Sequence, residues 1–261
     1  MLISPSHRDQ TRWYPATAYV ELANQIADAL SATRVVSSVV ACGSLVKGDI
    51  IPGWSDLDLI VFLEPDTDPL VALESARISI LRARGDIEIG IGFDVVGHDD
   101  FLQSKGRIGG RPLAMSYEVA RYGRALMGVN PFHSVDLEIP DAEQIGRERV
   151  ANVRAELHNW RRDYLEGSYT NATPRALAHA TKTLLKLLKH ETAPDPAPPF
   201  TYEAALSYLR VDAATHSADE AFAAAVRTRR DWNMLTDTDT VFRTLVGALS
   251  RYPWPTRQSH E

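Results

Sequence analysis

The sequence predicts an α+β fold, in which a small mixed β-sheet is followed by an α-helical bundle. Strand and helix patterns alternate in the first half of the chain, whereas nearly all patterns after residue 141 have helical spacing. A length of 261 residues suits one large domain or two moderate ones. Gly128, Pro131 and Pro140 cluster where the pattern changes, which predicts domains of residues 1–135 and 136–261.

The first half is expected to begin with a helix over residues 16–30, where apolar residues recur at helical spacing. β-Branched or alternating segments predict four strands, over residues 34–41, 57–63, 87–96 and 115–121. Further helices are expected over residues 68–84 and 98–105. The segment 106–112, which holds three glycines and a proline, is expected to be a loop.

Five helices are expected in the second half, over residues 142–166, 174–190, 202–210, 218–232 and 238–250. In the second of these, four leucines mark the side that should be buried: Leu177, Leu184, Leu187 and Leu188. Four prolines within residues 192–200 predict an extended connection between two helices.

Composition favours a soluble protein of the cytoplasm. Hydrophobic residues make up 44% and charged residues 24%, which is typical of a globular chain. There is no apolar run of about 18 residues, which a membrane span would need, and the polar N-terminus lacks the apolar core of a signal peptide. Cys42 is the only cysteine, so no internal disulfide can form.

The charge is uneven along the chain, and this bears on the partner. Residues 1–140 hold 12 Lys and Arg against 18 Asp and Glu, whereas residues 141–261 hold 16 of each. A protein that tracks long nucleic acid normally has a basic surface. The acidic first half therefore disfavours nucleic acid as a partner and favours a small acceptor that is cationic.

Two carboxylates, Asp56 and Asp58, stand at the entry of the strand predicted over residues 57–63. Side chains alternate along a strand, so the spacing of two predicts that both acids point the same way. Two acids on one face repel each other unless a cation lies between them. Carboxylate oxygens held in this way suit Mg²⁺, which is bound by one or two carboxylates together with substrate phosphates.

A third acid, Asp94, lies in the strand predicted over residues 87–96. Its predicted face-mates include Gly90 and Gly92, which leave open space beside it, and Glu88, which is a lesser candidate. If this strand lies beside that of Asp56 and Asp58, the three carboxylates can hold two ions.

The pair Gly43-Ser44, which follows the first predicted strand, supplies a candidate phosphate site. Gly43 lets the backbone approach a ligand closely. Backbone N–H groups and the Ser44 hydroxyl can then bind phosphate. The chain has no glycine-rich loop ending in Gly-Lys-Ser/Thr, which disfavours a P-loop ATPase.

Together, the Gly-Ser pair, the segment Ser55-Asp56-Leu57-Asp58 and the acid of a later strand resemble the DNA polymerase β-type nucleotidyltransferase superfamily. The small catalytic domain followed by a helical half looks like the antibiotic nucleotidyltransferases that modify aminoglycosides or lincosamides. The resemblance implies two Mg²⁺ ions, ATP or another nucleoside triphosphate as co-substrate, and transfer of AMP to a hydroxyl group with release of pyrophosphate.

The resemblance also implies roles for individual residues. It implies that Asp56 and Asp58 bind metal, and that Asp94 either binds metal or takes the proton of the acceptor. It implies nucleotide contacts for the Gly-Ser pair and Ser55. In such enzymes a helix lysine and a later tyrosine contact the triphosphate, and Lys182 and Tyr202 are similar in position.

Two other functions stay open at this point. One is nucleotidyl transfer to tRNA or to a protein, as in toxin-type nucleotidyltransferases. The other is a non-catalytic module that binds a nucleotide or a partner. The sequence does not identify the acceptor, the nucleobase or the oligomeric state.

Overall fold

A computed structural model describes residues 14–109, 111, 113–137, 142–167, 173–192, 202–209 and 216–254. The chain divides into two units, residues 1–140 and 141–261. The domain boundary that the sequence places at residue 135 stays a prediction. No helix within the described ranges is both long and apolar enough to cross a membrane.

The helices and strands of the first unit alternate along the chain. In order they are α1 (Ala16–Ser31), β1 (Val36–Cys42), α2 (Ser44–Lys47), β2 (Leu57–Leu63), α3 (Pro69–Arg84), β3 (Ile91–Val96), α4 (His98–Gln103), α5 (Leu113–Tyr122) and β4 (Arg124–Met127). The helices predicted over residues 16–30, 68–84 and 98–105 and the strands predicted over residues 34–41 and 57–63 are confirmed to within two residues at each end. The four-residue helix α2 was not predicted.

The described strands form one four-stranded sheet in the order β3-β2-β1-β4. β1 pairs antiparallel with β2 and with β4, whereas β2 and β3 are parallel. The prediction of a small mixed sheet is therefore confirmed. Because β2 lies between β1 and β3, side chains of β2 can contact the backbone of both neighbouring strands.

Each face of the sheet carries its own core, as the alternation of side chains requires. On one face, Leu57, Leu59 and Val61 pack with residues of α1 and α3. On the other, Ile60 and Phe62 belong to a second cluster, in which Phe62, Phe101 and Phe132 make edge-to-face contacts with ring centroids 4.8–5.8 Å apart.

The fourth strand predicted over residues 115–121 is wrong, because this segment lies within helix α5. Alternation of apolar residues there resembles a strand, but Met115 and Val119 are four apart and both pack in the second core, as on one side of a helix. The helix ends at Gly123, whose N–H donates to the Val119 carbonyl at 2.8 Å. The fourth strand, β4, follows this glycine.

The strand predicted over residues 87–96 is confirmed only over its second part, since β3 begins at Ile91. The partner strand β2 begins at Leu57, which is paired with Ile91, so the preceding residues have no strand to pair with. The loop predicted over residues 106–112 lies only partly within the described residues.

The second unit is helical in its described parts. Its helices are α6 (Ala142–Leu165), α7 (Pro174–Thr192), α8 (Tyr202–Leu209), α9 (His216–Arg230) and α10 (Thr238–Arg251). Helix α7 contacts the other four, and its four predicted leucines are buried. These contacts agree with a helical half, and its description as a bundle stays a prediction. The predicted extended connection over residues 192–200 lies outside the described residues, apart from its first residue.

Candidate active site

The turn after β1 is built around Gly43, which has a backbone conformation of φ 65° and ψ −143°. Residues that carry a side chain rarely adopt this positive φ, so the position favours glycine. Ser44 then begins α2, and by helix geometry the first N–H groups of that helix have no acceptor within it. The predicted Gly-Ser pair therefore presents backbone donors at the end of β1.

Asp58 lies against this turn and between two glycines. A Cβ atom added to Gly43 would be 2.3 Å from Asp58 Oδ2, and one added to Gly92 would be 2.8 Å from Asp58 Oδ1. The sheet register explains this position, because Asp58 is paired with Cys42 of β1 on one side and with Gly92 of β3 on the other. Any side chain at either glycine would displace the carboxylate.

Asp94 lies on the same face of the sheet as Asp58. It is paired with Ile60, two residues after Asp58, and side chains two apart share a face. Arg111 donates to Asp94 Oδ1 from Nε at 3.0 Å and from Nη2 at 2.9 Å. The pair is partly exposed, so its contribution to stability is expected to be small, on the order of 1 kcal/mol or less.

Asp56 has different surroundings from Asp58, although the two are only two residues apart. Asp56 precedes the first residue of β2. Burial raises the pKa of the Tyr19 hydroxyl, and the negative charge of Asp56 raises it further. Asp56 is thus within electrostatic reach of a buried tyrosine of α1.

Ser55 has a structural role in this structure. Its hydroxyl accepts a hydrogen bond from the Ile51 N–H at 2.9 Å, while the Ser55 N–H donates to the Ile51 carbonyl at 2.9 Å. These two bonds close the turn that leads into β2 and thereby position Asp56 and Asp58. The predicted nucleotide contact of Ser55 stays a prediction.

The three acids fit Mg²⁺ by chemistry, and partly by position. Asp58 and Asp94 share a face, and the two glycines beside Asp58 leave room that a Cβ would fill. Among the described residues, however, no group of three or more His, Cys, Asp or Glu side chains is arranged to hold an ion. The predicted gathering of Asp56, Asp58 and Asp94 around metal therefore stays a prediction.

The Gly43-Ser44 turn, Asp58 and Asp94 lie in one part of the first unit, which we call the sheet edge. The buried thiol of Cys42 reports the charge there. Burial and, to a smaller extent, the charges of Asp58, Asp94 and Glu118 raise the pKa of Cys42, while Lys47 lowers it, and the result is about 12. Three carboxylates are thus close enough to act on one atom.

Sequence reasoning missed three charged residues at this edge: Lys47, Arg111 and Glu118. Lys47, at the end of α2, forms an ion pair with Glu118 of α5. The signal for Lys47 was available, because it stands three residues after Ser44. Glu118 was hidden by the incorrect strand, and Arg111 lies in a loop without any pattern.

Lys182 and Tyr202 lie on α7 and α8 of the second unit, and these two helices contact each other. Lys182, Lys186 and Lys189 form a stripe at helical spacing along α7, and Lys182 is half-buried, whereas the other two are exposed. Tyr202 begins α8, and the guanidinium of the buried Arg229 lies 5.2 Å from its ring centroid. The predicted triphosphate contacts of Lys182 and Tyr202 stay predictions.

Comparison with known families matches residues 23–93 to the family described as "Nucleotidyltransferase domain". The matched segment includes the Gly-Ser turn, Asp56 and Asp58, and ends one residue before Asp94. It supports the nucleotidyltransferase superfamily for this part of the chain, and nucleotidyl transfer as the general reaction. No curated protein matches the chain.

Proposed function

We propose that the protein transfers AMP from ATP to a hydroxyl group of a small cationic molecule, such as an aminoglycoside, and releases pyrophosphate. One observation carries the proposal. The carboxylate of Asp58 is held between Gly43 and Gly92, beside the turn that begins with Ser44, and this turn lies in the segment that matches a nucleotidyltransferase domain.

The residues of the sheet edge divide into two groups by their chemistry. Backbone N–H groups at the Gly43-Ser44 turn, with the Ser44 hydroxyl, are suited to bind the phosphates. Asp58 and Asp94, with Asp56, are the residues that would hold Mg²⁺. The ion, when bound, neutralises negative charge that develops on the phosphate oxygens.

The transfer itself forms one bond and breaks another. The acceptor oxygen bonds to the α-phosphorus, and the bond from this phosphorus to the bridging oxygen of pyrophosphate breaks. The hydroxyl proton goes to a base, for which Asp94 is the candidate. Both bonds from Arg111 end on Oδ1 of Asp94, so Oδ2 is the oxygen suited to accept this proton.

The charge of the edge supports a cationic acceptor. Of the charged side chains described at this edge, four are carboxylates, Asp56, Asp58, Asp94 and Glu118, and only two are cations, Lys47 and Arg111, so the balance of charge beside the turn is negative. Such a balance attracts an ammonium-bearing substrate and repels the phosphates of a nucleic acid. This argument favours an aminoglycoside over tRNA as the acceptor.

The reaction is tested by measuring pyrophosphate release from the full chain with Mg²⁺, each of the four nucleoside triphosphates and a panel of aminoglycosides, lincosamides and tRNA. We expect release that depends on ATP and on an aminoglycoside. Release with tRNA alone, with binding that weakens as salt is added, would instead favour the nucleic-acid acceptor.

A second candidate is a non-catalytic nucleotide-binding module, and the Arg111–Asp94 ion pair is the observation that favours it. A guanidinium on Asp94 already neutralises a carboxylate that an active enzyme would use. Calorimetry separates the two functions. Tight ATP binding that is indifferent to Mg²⁺, without pyrophosphate release for any acceptor, would establish the binding module and reject the enzyme.

A further inference from the structure

Helix α3 is unusual because many of its large apolar side chains lie on its outward face. The inward face consists mainly of small residues, of which Ala72 and Ala76 are buried in the core shared with α1. The outward face carries larger apolar side chains with these exposed fractions: Leu70 74%, Val71 60%, Leu73 43%, Ile78 41% and Leu81 46%. A helix that exposes such a face is typical of an interaction site.

The centre of this face is a stripe of four residues, which we call the α3 seam: Leu70, Glu74, Arg77 and Leu81. All four are exposed. Their spacings are four, three and four, and a helix of 3.6 residues per turn places residues with those spacings on one side. The seam therefore runs along α3 with an apolar residue at each end and opposite charges in the middle.

The α3 seam is symmetric about its centre, and this symmetry identifies the partner. Leu70 and Leu81 are equally far from the midpoint of the seam along the helix axis, and so are Glu74 and Arg77. In an antiparallel pair of two such helices, Leu70 lies level with the partner's Leu81, and Glu74 lies level with the partner's Arg77. We propose that α3 pairs antiparallel with α3 of a second copy of this chain, across a two-fold axis between residues 75 and 76.

Charge complementarity supports a second copy over an unrelated partner. The two-fold axis creates two Glu74–Arg77 pairs between the copies. Neither residue has an ion-pair partner in its own chain within the described residues. The same axis brings Val71 of one flank near the partner's Ile78, so the apolar flank is covered as well.

The expected interface is small and the dimer correspondingly weak. One helix face from each copy gives an area near the lower limit of specific interfaces, about 1,200 Å² in total. We therefore expect a reversible dimer that forms in the micromolar range. The proposal does not depend on nucleotidyl transfer, and its test reads association rather than activity.

The test is sedimentation velocity of the full chain across the micromolar range, with a charge reversal at the seam. Glu74→Arg and Arg77→Glu each place like charges opposite each other, and each should weaken dimerisation by at least about tenfold. The double variant Glu74→Arg/Arg77→Glu restores opposite charges and should recover most of the affinity. Arg243→Glu, an equal charge change on exposed α10, is the control and should have no effect.

A disulfide test gives an independent readout of the register. Residues 70 and 81 of one helix are about 16 Å apart, too far for a disulfide within the chain. Leu70→Cys/Leu81→Cys should therefore yield a covalent dimer on oxidation, whereas Leu81→Cys alone should not. The natural Cys42 is buried and does not interfere.

Three results would overturn the proposal. These are a wild-type chain that stays monomeric throughout the micromolar range, a dimer that both single charge reversals leave intact, and a double cysteine variant that gives no more covalent dimer than Leu81→Cys. Far-UV circular dichroism of each variant confirms that its helices are retained.

Discussion

The sheet edge of the first unit and helix α7 of the second both carry residues that the sequence assigned to the site, but the structure distinguishes these residues to different degrees. At the sheet edge, Asp58 is singled out by its position between two glycines, because a Cβ atom at either one would clash with its carboxylate. On α7, Lys182 is distinguished from Lys189 by being less exposed.

The difference follows from how the two kinds of element place side chains. A residue in a central strand has neighbours on both sides, and the register fixes which residues these are. The neighbours of a residue on the outer side of a helix are not fixed by a strand register, so several positions can serve equally well. The roles at the sheet edge should therefore be sensitive to small changes, and those on α7 tolerant of them.

The largest effect is expected from Asp58→Asn. It removes one negative charge beside the Gly-Ser turn, and we expect turnover to fall by at least about a thousandfold while the protein stays folded. Pyrophosphate release and thermal unfolding check the two halves of this expectation. Glu64→Gln, the same chemical change at an exposed position directly after β2, is the control and should leave turnover unchanged. Substantial turnover in Asp58→Asn would remove the central residue of the proposed site.

Gly43→Ala should have the next largest effect, for two separable reasons. Alanine is strained at φ 65°, and its Cβ would displace the Asp58 carboxylate. We expect a loss of about 1–3 kcal/mol in the free energy of unfolding and a fall in turnover of about a hundredfold.

A matched control for this change is Gly85→Ala at the end of α3. Gly85 has nearly the same conformation, φ 51° and ψ −129°, but an added Cβ there would meet no atom within 4 Å. It should lose stability and keep its turnover. Equal losses of turnover in the two variants would show that strain alone, and not the position of Asp58, limits the reaction.

The second unit should respond more weakly. We expect Lys182→Gln to raise the KM for ATP by about tenfold with little change in kcat, because a lysine that binds triphosphate contributes mainly one charge contact. Steady-state kinetics of Lys182→Gln and Lys189→Gln make the comparison within one stripe. If both variants behave like the wild type, the triphosphate contact that the resemblance implies is wrong for this helix.

Arg111 tests whether Asp94 is available to metal. Arg111→Gln removes the guanidinium from Asp94, and we expect the affinity for Mn²⁺ to rise by about threefold to tenfold, since a cation no longer competes for the carboxylate. Titration calorimetry measures this without turnover. Arg107→Gln, at an exposed position nearby in the chain, is the control. An unchanged affinity would exclude Asp94 as a ligand that Arg111 blocks.

The sequence predicted the sheet edge better than its surroundings, and local patterns explain why. Strand β2 and the Gly-Ser turn are each recognised from a few neighbouring residues. The pairing of β2 with β3 then places Gly92 beside Asp58. The charged neighbours Arg111 and Glu118 come from a loop and a helix, and long-range packing rather than local pattern places them here. Helix α5 was mistaken for a strand because apolar and polar residues alternate in its sequence. The residues that pack in the core, Met115 and Val119, are instead four apart, as on one side of a helix.

The smallest effect is expected at the buried thiol of Cys42, at the sheet edge. Helix α7 has no cysteine that could serve for comparison. The pKa of Cys42 in the folded chain is about 12, whereas an unfolded thiol ionises near pH ~8.5. The folded state thus binds the proton more tightly, and this contribution to stability is complete below the unfolded pKa and is lost as the pH rises toward 12. Between pH 8 and pH 10 we expect urea unfolding to show that the wild type loses about 1–2 kcal/mol more than Cys42→Ala. Asp58→Asn should lower the pKa of the folded thiol, because one of the charges that hold it neutral is then absent, and a titration of thiolate absorbance in the folded chain measures this. If the folded thiol ionises at the same pH with and without Asp58, then the sheet edge lacks the negative potential on which the choice of a cationic acceptor rests.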